Sequence, residues 1–199
     1  MGAAPGLPTN IEEAFARLPS FDTERLLVRP LDVSDVDAIF TIKSDPKVTE
    51  AYGTEPHKSI RETQEWVADR LNPSGKRDSL FWVFVPKGEE RAIGSCCYWH
   101  FDLRSRCAEL GYELHRSHWG KGIMIEALPP VLTYGFDGVR LKRVEACPLA
   151  ENAASNALLL KLGFKREGNL RQPVYFRNRL FDQYYYTLPK SEWDRRATG

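Results

Sequence analysis

The 199-residue chain has no apolar run approaching the roughly 20 residues that a bilayer-spanning helix requires. Met1 to Pro8 offers neither a basic region nor a long apolar segment, so no secretory signal is expected. An excess of one charge is also missing: 28 Lys and Arg face 27 Asp and Glu, for a formal net charge of +1. Neither nucleic acid nor a membrane surface is therefore an expected partner, although a local basic patch is compatible with this balance. Cysteine is sparse, at Cys96, Cys97, Cys107 and Cys147, and no C-x-x-C or Cys/His spacing suggests a zinc site. Each cysteine sits in an apolar, strand-like context, where a free thiol behaves as a small hydrophobe. A reduced cytoplasmic protein without a bound metal is the simplest expectation. Repeats and low-complexity tracts are absent as well.

What is present suits one folded domain. Hydrophobic residues make up 42% and charged residues 28%, enough to build a core and too apolar for a disordered chain. Residues 1–20 read as an N-terminal arm, with Pro5, Pro8 and Pro19 around a short amphipathic piece at Ile11 to Leu18. Residues 21–195 carry one continuous pattern. Arg25 to Leu31 is strand-like, and Pro30 suggests an edge or a strand end. Ser34 precedes Val36, Ile39, Phe40 and Lys43, the mark of an N-capped amphipathic helix ending before Pro46. Thr63, Trp66, Val67 and Leu71 mark a second helix, stopped by Asn72-Pro73-Ser74-Gly75. Strands are expected at Leu80 to Val85, Ala92 to Trp99 and Cys107 to Leu114. A helix near Gly122 to Tyr134 follows, with Pro129-Pro130 inside it and a kink expected there. A strand at Arg143 to Cys147, a helix at Asn152 to Leu162 and two closing strands, about 164–175 and 180–188, complete an α/β (α+β) sheet of six or seven strands.

The most informative stretch runs from Glu109 to Ala127. A strand enters a turn with Gly120 and Gly122 two apart, and a helix starts at once. Glycines there permit positive φ and remove side chains that would block an approaching group. The first N–H groups of the helix point outward, unpaired, at the positive end of its dipole, which suits a phosphate. A strand-to-helix turn that needs glycines for its own geometry has the same spacing. Gly120-Lys121-Gly122 is neither a P-loop nor a dinucleotide fingerprint.

Further motifs decide between these. They are Thr23-Glu24-Arg25-Leu26, Gly111-Tyr112, Trp119-Gly120-Lys121-Gly122 with Glu126-Ala127, Asn152-x-x-Ser155, Lys161-Leu162-Gly163-Phe164 and Ser191-Glu192-Trp193. In order and spacing the chain resembles the GNAT acetyltransferase superfamily, in the branch of the RimJ/RimL-like ribosomal-protein acetyltransferases, over residues 22–193. The resemblance implies a single mixed, strongly bent sheet whose central strands splay apart, with helices on both faces. It implies that acetyl-CoA lies in the splay as co-substrate. The pyrophosphate would sit on the turn Trp119, Gly120, Lys121, Gly122, Ile123 and Met124. The pantetheine arm would pair with the backbone of Tyr112, Glu113 and Leu114. Asn152 would contact the arm, and Ser155 would stand near the CoA sulfur.

Acetyl transfer to an amine needs a neutral nucleophile, a polarised thioester carbonyl and a proton for the departing thiolate. Ser155 can supply that proton, or it can be a first-turn residue, with Asn152 simply the helix cap. Two departures from the resemblance bear on the chemistry. Leu159 stands where many members carry a thiolate-protonating tyrosine, and Val174 where some carry a glutamate base. The base is then another residue, a water, or bulk solvent acting on an already neutral amine. Of Glu109 and Glu113, which share a strand face, Glu109 is the better candidate, with a surface or salt-bridged strand glutamate as its alternative. His100, His115 and His118 read as turn or surface residues. Trp66, Trp82, Tyr98, Trp99, Tyr175, Phe176 and Arg177 are candidates for the acceptor wall. The expected activity is that of an N-acetyltransferase (an acyltransferase) acting on a peptide N-terminal α-amine or a small monoamine, as monomer or homodimer. The alternative is a non-catalytic acyl-CoA sensor.

Overall fold

The computed structural model describes residues 17–72, 79–169 and 174–197. Most of the amphipathic piece expected at Ile11 to Leu18 lies outside them. Its last residue, Leu18, packs on the core, and Trp82 Nε1 donates to the Pro19 carbonyl at 3.0 Å.

The strands are β1 (Phe21–Asp22), β2 (Leu26–Pro30), β3 (Leu80–Pro86), β4 (Gly94–Asp102), β5 (Cys107–Leu114), β6 (Arg143–Ala146), β7 (Lys165–Asn169), β8 (Val174–Phe176), β9 (Arg179–Phe181) and β10 (Tyr184–Pro189). Eight of them form one sheet in the order β1-β2-β3-β4-β5-β6-β10-β7, while β8 and β9 form a separate hairpin. The helices are α1 (Val36–Lys43), α2 (Pro46–Glu50), α3 (Ile60–Leu71), α4 (Ile123–Asp137), α5 (Ala153–Leu162) and α6 (Lys190–Ala197). No helix among the described residues is long and apolar enough to cross a membrane.

The sheet has one strand more than the upper expectation of seven, and the closing strands are shorter than expected. Phe21–Asp22 is a two-residue edge strand, too short to show alternation. The closing segments pair as β7 and β10 only near their outer ends, from Tyr184↔Asn169 to Thr187↔Lys165, and their tip folds away as β8–β9. Ser34 is not the helix cap. Asp32 caps a 3-10 turn at Val33–Asp35, accepting from Ser34 N, and α1 follows that turn. Pro46 does not merely stop α1. It opens α2, where its missing N–H costs nothing and Asp45 accepts from Lys47 N. Helix α4 continues through Pro129 and Pro130 to Asp137.

Strand β3 shows why helices cover both faces. Leu80, Trp82 and Phe84 enter the larger core with residues of α4 and α5, whereas Phe81, Val83 and Val85 enter a smaller core with Ile39 of α1 and Val67 of α3. A strand apolar on both faces must be covered twice. All four cysteines are free.

One irregularity positions everything that follows. Strands β5 and β6 run parallel for only three pairs, Cys107↔Arg143, Ala108↔Val144 and Glu109↔Glu145. Beyond Glu109, β5 continues to Leu114 along β4 alone. The sheet is forked there, and the fork leaves one edge of β5 without a strand partner.

Candidate active site

The fork opens into a cleft of about 2410 Å³, lined by β5, the glycine turn, the start of α5, the α2 loop and the β8–β9 hairpin. Sites for one small ligand span roughly 300–1,000 Å³, so this cleft has room for two reactants. All the residues singled out for cofactor binding or catalysis line it except Lys121, whose neighbours Gly120 and Gly122 do.

At one end lies the glycine turn. After Leu114 the chain makes a 3-10 turn at Arg116–His118, and Trp119 Nε1 donates back to the Leu114 carbonyl at 2.8 Å. Gly120 (φ 72°) and Gly122 (φ 74°) are left-handed, and Gly122 is the N-cap of α4 with no side-chain cap bond. A Cβ on Gly120 would meet nothing within 4 Å, and one on Gly122 would meet only Arg25 Nη2 at 3.6 Å and Ile125 Cγ2 at 3.9 Å. Crowding within the protein therefore does not demand glycine here. The backbone conformation does, and it leaves open space in front of the unpaired N–H groups of a 15-residue helix. That arrangement fits a pyrophosphate.

At the start of α5, Asn152 is the helix cap: its Oδ1 accepts from Ser155 N at 3.0 Å, and its Nδ2 donates to the Ala51 carbonyl at 2.9 Å. Both polar atoms of Asn152 are engaged within the protein. Ser155 is buried, and its Oγ lies 2.7 Å from the Tyr112 hydroxyl. Burial pushes the Tyr112 phenol up to about 12, with the Ser155 bond opposing the shift. Sequence reasoning used Tyr112 for its backbone only. Strand alternation could have revealed the side chain, because Tyr112 shares a face with Leu110 and Leu114. Leu159 is fully buried on α5, and the phenol beside Ser155 comes from β5 instead.

At the apex of the fork sits Glu109, its side chain 20% exposed and 3.1 Å from His100 Nδ1. Burial raises the Glu109 carboxyl above the ordinary carboxylate range, and the bond from His100 only partly opposes this. His100 is left-handed (φ 47°) within an irregular part of β4, and its ring stacks on Trp99 with centroids 4.0 Å apart. His118 lines the cleft beside the glycine turn, and His115 bonds Ser117 within the turn.

Glu113 shares a strand face with Glu109 but is committed elsewhere. Its carboxylate is a buried hub, accepting from Lys43 Nζ (3.1 Å), Tyr52 Oη (2.9 Å) and Ser95 Oγ (3.1 Å). The acceptor-wall candidates separate into two sets. Trp82 and Tyr98 are fully buried core, and Tyr98 donates to the Val131 carbonyl. Trp66, which carries Lys43 Nζ 4.3 Å from its ring centroid, lines the cleft, as does Trp99. Arg177, at the tip of β8–β9, pairs with Glu50 and Glu55, closing the hairpin onto the α2 loop. Tyr175 is exposed and Phe176 buried. No group of three or more metal-ligating side chains occurs among the described residues.

A family profile described as an acetyltransferase (GNAT) domain matches residues 25–165. The chain belongs to the GNAT acetyltransferase family. It is 33% identical over 172 residues to the uncharacterized N-acetyltransferase YoaA of Bacillus subtilis, covering 86% of this chain and 97% of that one. The fold is similar to RimL, a ribosomal L7/L12 alpha-N-protein acetyltransferase solved in complex with coenzyme A (TM-score 0.77, 20% identity, 86% of this chain and 98% of that one). It is also similar to spermidine N-acetyltransferase from Vibrio cholerae, solved with CoA and spermine (TM-score 0.76, 21% identity, 85% and 98%). The GNAT family assignment makes the protein an N-acetyltransferase with a forked mixed sheet.

Proposed function

We propose that the protein transfers the acetyl group of acetyl-CoA to the α-amine of a peptide N-terminus or to a small monoamine. The observation that carries this is the fork: an unpaired β5 edge runs from a raised-pKa carboxylate, Glu109, to an open left-handed glycine turn. Bound acetyl-CoA supplies an activated thioester. Backbone N–H groups from Trp119 to Met124 hold its pyrophosphate, each charge-assisted contact worth about 1.5–3 kcal/mol, and Tyr112 to Leu114 pair with its arm. Asn152 reaches the arm when it exchanges its bond to Ala51.

Glu109 takes the proton of the attacking amine, directly or through one water. A β5 N–H polarises the thioester carbonyl. As the C–N bond forms and the C–S bond breaks, Ser155 gives its proton to the departing sulfur and takes one from Tyr112. After release of products Glu109 loses its proton to solvent while Tyr112 regains one from it. The Tyr112 phenol beside Ser155 and the Glu109 carboxyl at the fork support turnover over the sensor alternative.

The acceptor follows from charge. An α-amino group, with pKa about 7.7–8.0, is substantially neutral near pH 7.5, whereas a lysine-like amine near 10.4 is almost wholly charged. Three of the five carboxylates lining the cleft are moreover in ion pairs, Glu50 with Arg177, Glu151 with Arg179 and Glu113 with Lys43, while Glu109 bonds His100 and Glu167 accepts from Thr187 Oγ1. A polyamine would have to break such pairs to bind. RimL, named for an alpha-N-protein activity, shares the fold.

Calorimetric titration with acetyl-CoA, followed by thiol release with peptides beginning Ser, Ala or Thr, a monoamine and spermidine, tests this. We expect binding, release with the peptides or the monoamine, and a kcat/KM that rises with pH and levels near the acceptor's own pKa. Because the Glu109 carboxyl is raised, its limb lies above the ordinary carboxylate range. Glu109→Gln should remove that limb and cost up to about a hundredfold. Binding without release would restore the sensor reading, and a preference for spermidine would overturn the acceptor.

A further inference from the structure

Thr23-Glu24-Arg25-Leu26 and Glu126-Ala127 have no part in the chemistry above, yet they meet across the fold. Glu126, in the first turn of α4, accepts from Thr23 Oγ1 at 2.6 Å, from Arg25 N at 2.7 Å and from Arg25 Nε at 2.6 Å. The same guanidinium donates through Nη1 to the Lys121 carbonyl at 3.0 Å. Its Nη2 lies 3.6 Å from where a Cβ on Gly122 would stand. One side chain from the start of β2 therefore grips both the glycine turn and the helix behind it.

This grip answers an electrostatic problem. A carboxylate in the first turn favours the helix dipole, but it also stands within a turn of the N–H groups offered to an anion, where it repels that anion. Arg25 cancels the repulsion. By accepting from Nη1, the Lys121 carbonyl is also turned toward Arg25, which orients the Lys121–Gly122 peptide. Burial pushes the Glu126 carboxyl up, but the bonds from Thr23 and Arg25 outweigh it and hold the group below its usual range. Glu126 is thus a charge that needs cancelling throughout the working pH range.

We propose that Arg25 is a positioning residue of the phosphate-binding turn, neutralising Glu126 and holding the Lys121–Gly122 peptide in its anion-accepting conformation. The proposal rests on the acetyl-CoA reading above, with Glu126 as the partner through which Arg25 acts.

The test compares two donors. Acetyl-CoA carries the pyrophosphate, and S-acetyl-pantetheine does not. Affinity for acetyl-CoA is read by calorimetry, and S-acetyl-pantetheine is read through kcat/KM. Arg25→Gln should weaken acetyl-CoA by about ten- to a hundredfold, the loss of one or two charge-assisted contacts, and more than Lys121→Ala does. The same change should alter kcat/KM for S-acetyl-pantetheine by less than about threefold. Adding Glu126→Gln to Arg25→Gln should recover acetyl-CoA affinity, since the uncancelled charge is then gone. Arg25→Lys, which keeps the charge but not the fork, should lose less than Arg25→Gln, and it carries the comparison if Arg25→Gln folds poorly. Equal losses with both donors, no recovery in the double variant, or native affinity in Arg25→Gln would overturn the proposal. Failure of the native protein to bind acetyl-CoA would instead sink the functional reading, so the two failures are distinguishable.

Discussion

Ser155 and Tyr112 lie 43 positions apart and share a 2.7 Å hydrogen bond inside the cleft. A serine hydroxyl alone is a poor acid, and in the proposed transfer the phenol behind it replaces the proton it loses. The Tyr112 phenol, pushed up to about 12 by burial, stays protonated through the physiological range and remains a donor. Ser155→Ala should therefore lower kcat by roughly ten- to a thousandfold with little change in acetyl-CoA affinity. Tyr112→Phe should lower kcat by a smaller factor, about three- to thirtyfold. Residues that act as one unit are non-additive, so the double variant should be no slower than Ser155→Ala alone. Steady-state kinetics with parallel calorimetry checks all three. A Ser155→Ala protein that binds acetyl-CoA poorly but turns over normally would make Ser155 a cofactor-positioning residue.

The glycine turn and α4 work as one element. Gly120 and Gly122 have positive φ in open space, so the constraint at each is conformational, and the proposed anion site is made of backbone rather than side chains. Lys121→Ala should weaken acetyl-CoA only a few-fold, since it removes one exposed, screened charge. Gly122→Val should be far worse, at least tenfold beyond Lys121→Ala, because a β-branched residue resists left-handed φ and its side chain fills the cradle. Titration of acetyl-CoA into both variants separates the contributions. Equal losses would mean that the lysine charge holds the pyrophosphate. The same element carries Pro129 and Pro130 without breaking, and its far half docks on the sheet through Gly135.

At the scale of the whole molecule, α4 lies close against the sheet because Gly135 has no side chain. A Cβ there would stand 2.8 Å from Cζ of Tyr98, closer still to its Oη, and Tyr98 is fully buried with its hydroxyl on Val131. Gly135→Ala should destabilise the fold by about 1–3 kcal/mol through overpacking, or roughly 2–12 °C in Tm for a chain of this size. Acetyl-CoA affinity per folded molecule should be unchanged, and thermal unfolding with and without donor would check both statements. Local order was legible in the residues themselves. The apolar run Leu80 to Val85 reads as a strand, Asn72 as the stop of α3, and the spacing of Gly120 and Gly122 before an apolar run as a strand-turn-helix. These depend on contacts close along the chain, or on backbone preferences, and so leave a pattern. The pairings of Tyr112 with Ser155, Glu109 with His100 and Arg25 with Glu126, and the meeting of Lys43, Tyr52 and Ser95 on Glu113, join different elements. Tyr112 can reach Ser155 because β5 parts from β6 after three pairs, and Arg177 can reach Glu50 and Glu55 because β8–β9 leaves the main sheet. No periodicity encodes those two events, since each is set by how separate strands compete for the same backbone edge. The sequence by itself determined the family, most of the helices and strands, and a glycine-bearing strand-to-helix turn. The tertiary structure alone decided which side chains share the cleft, because hydrogen bonds and charges act over a few ångströms whatever the distance along the chain.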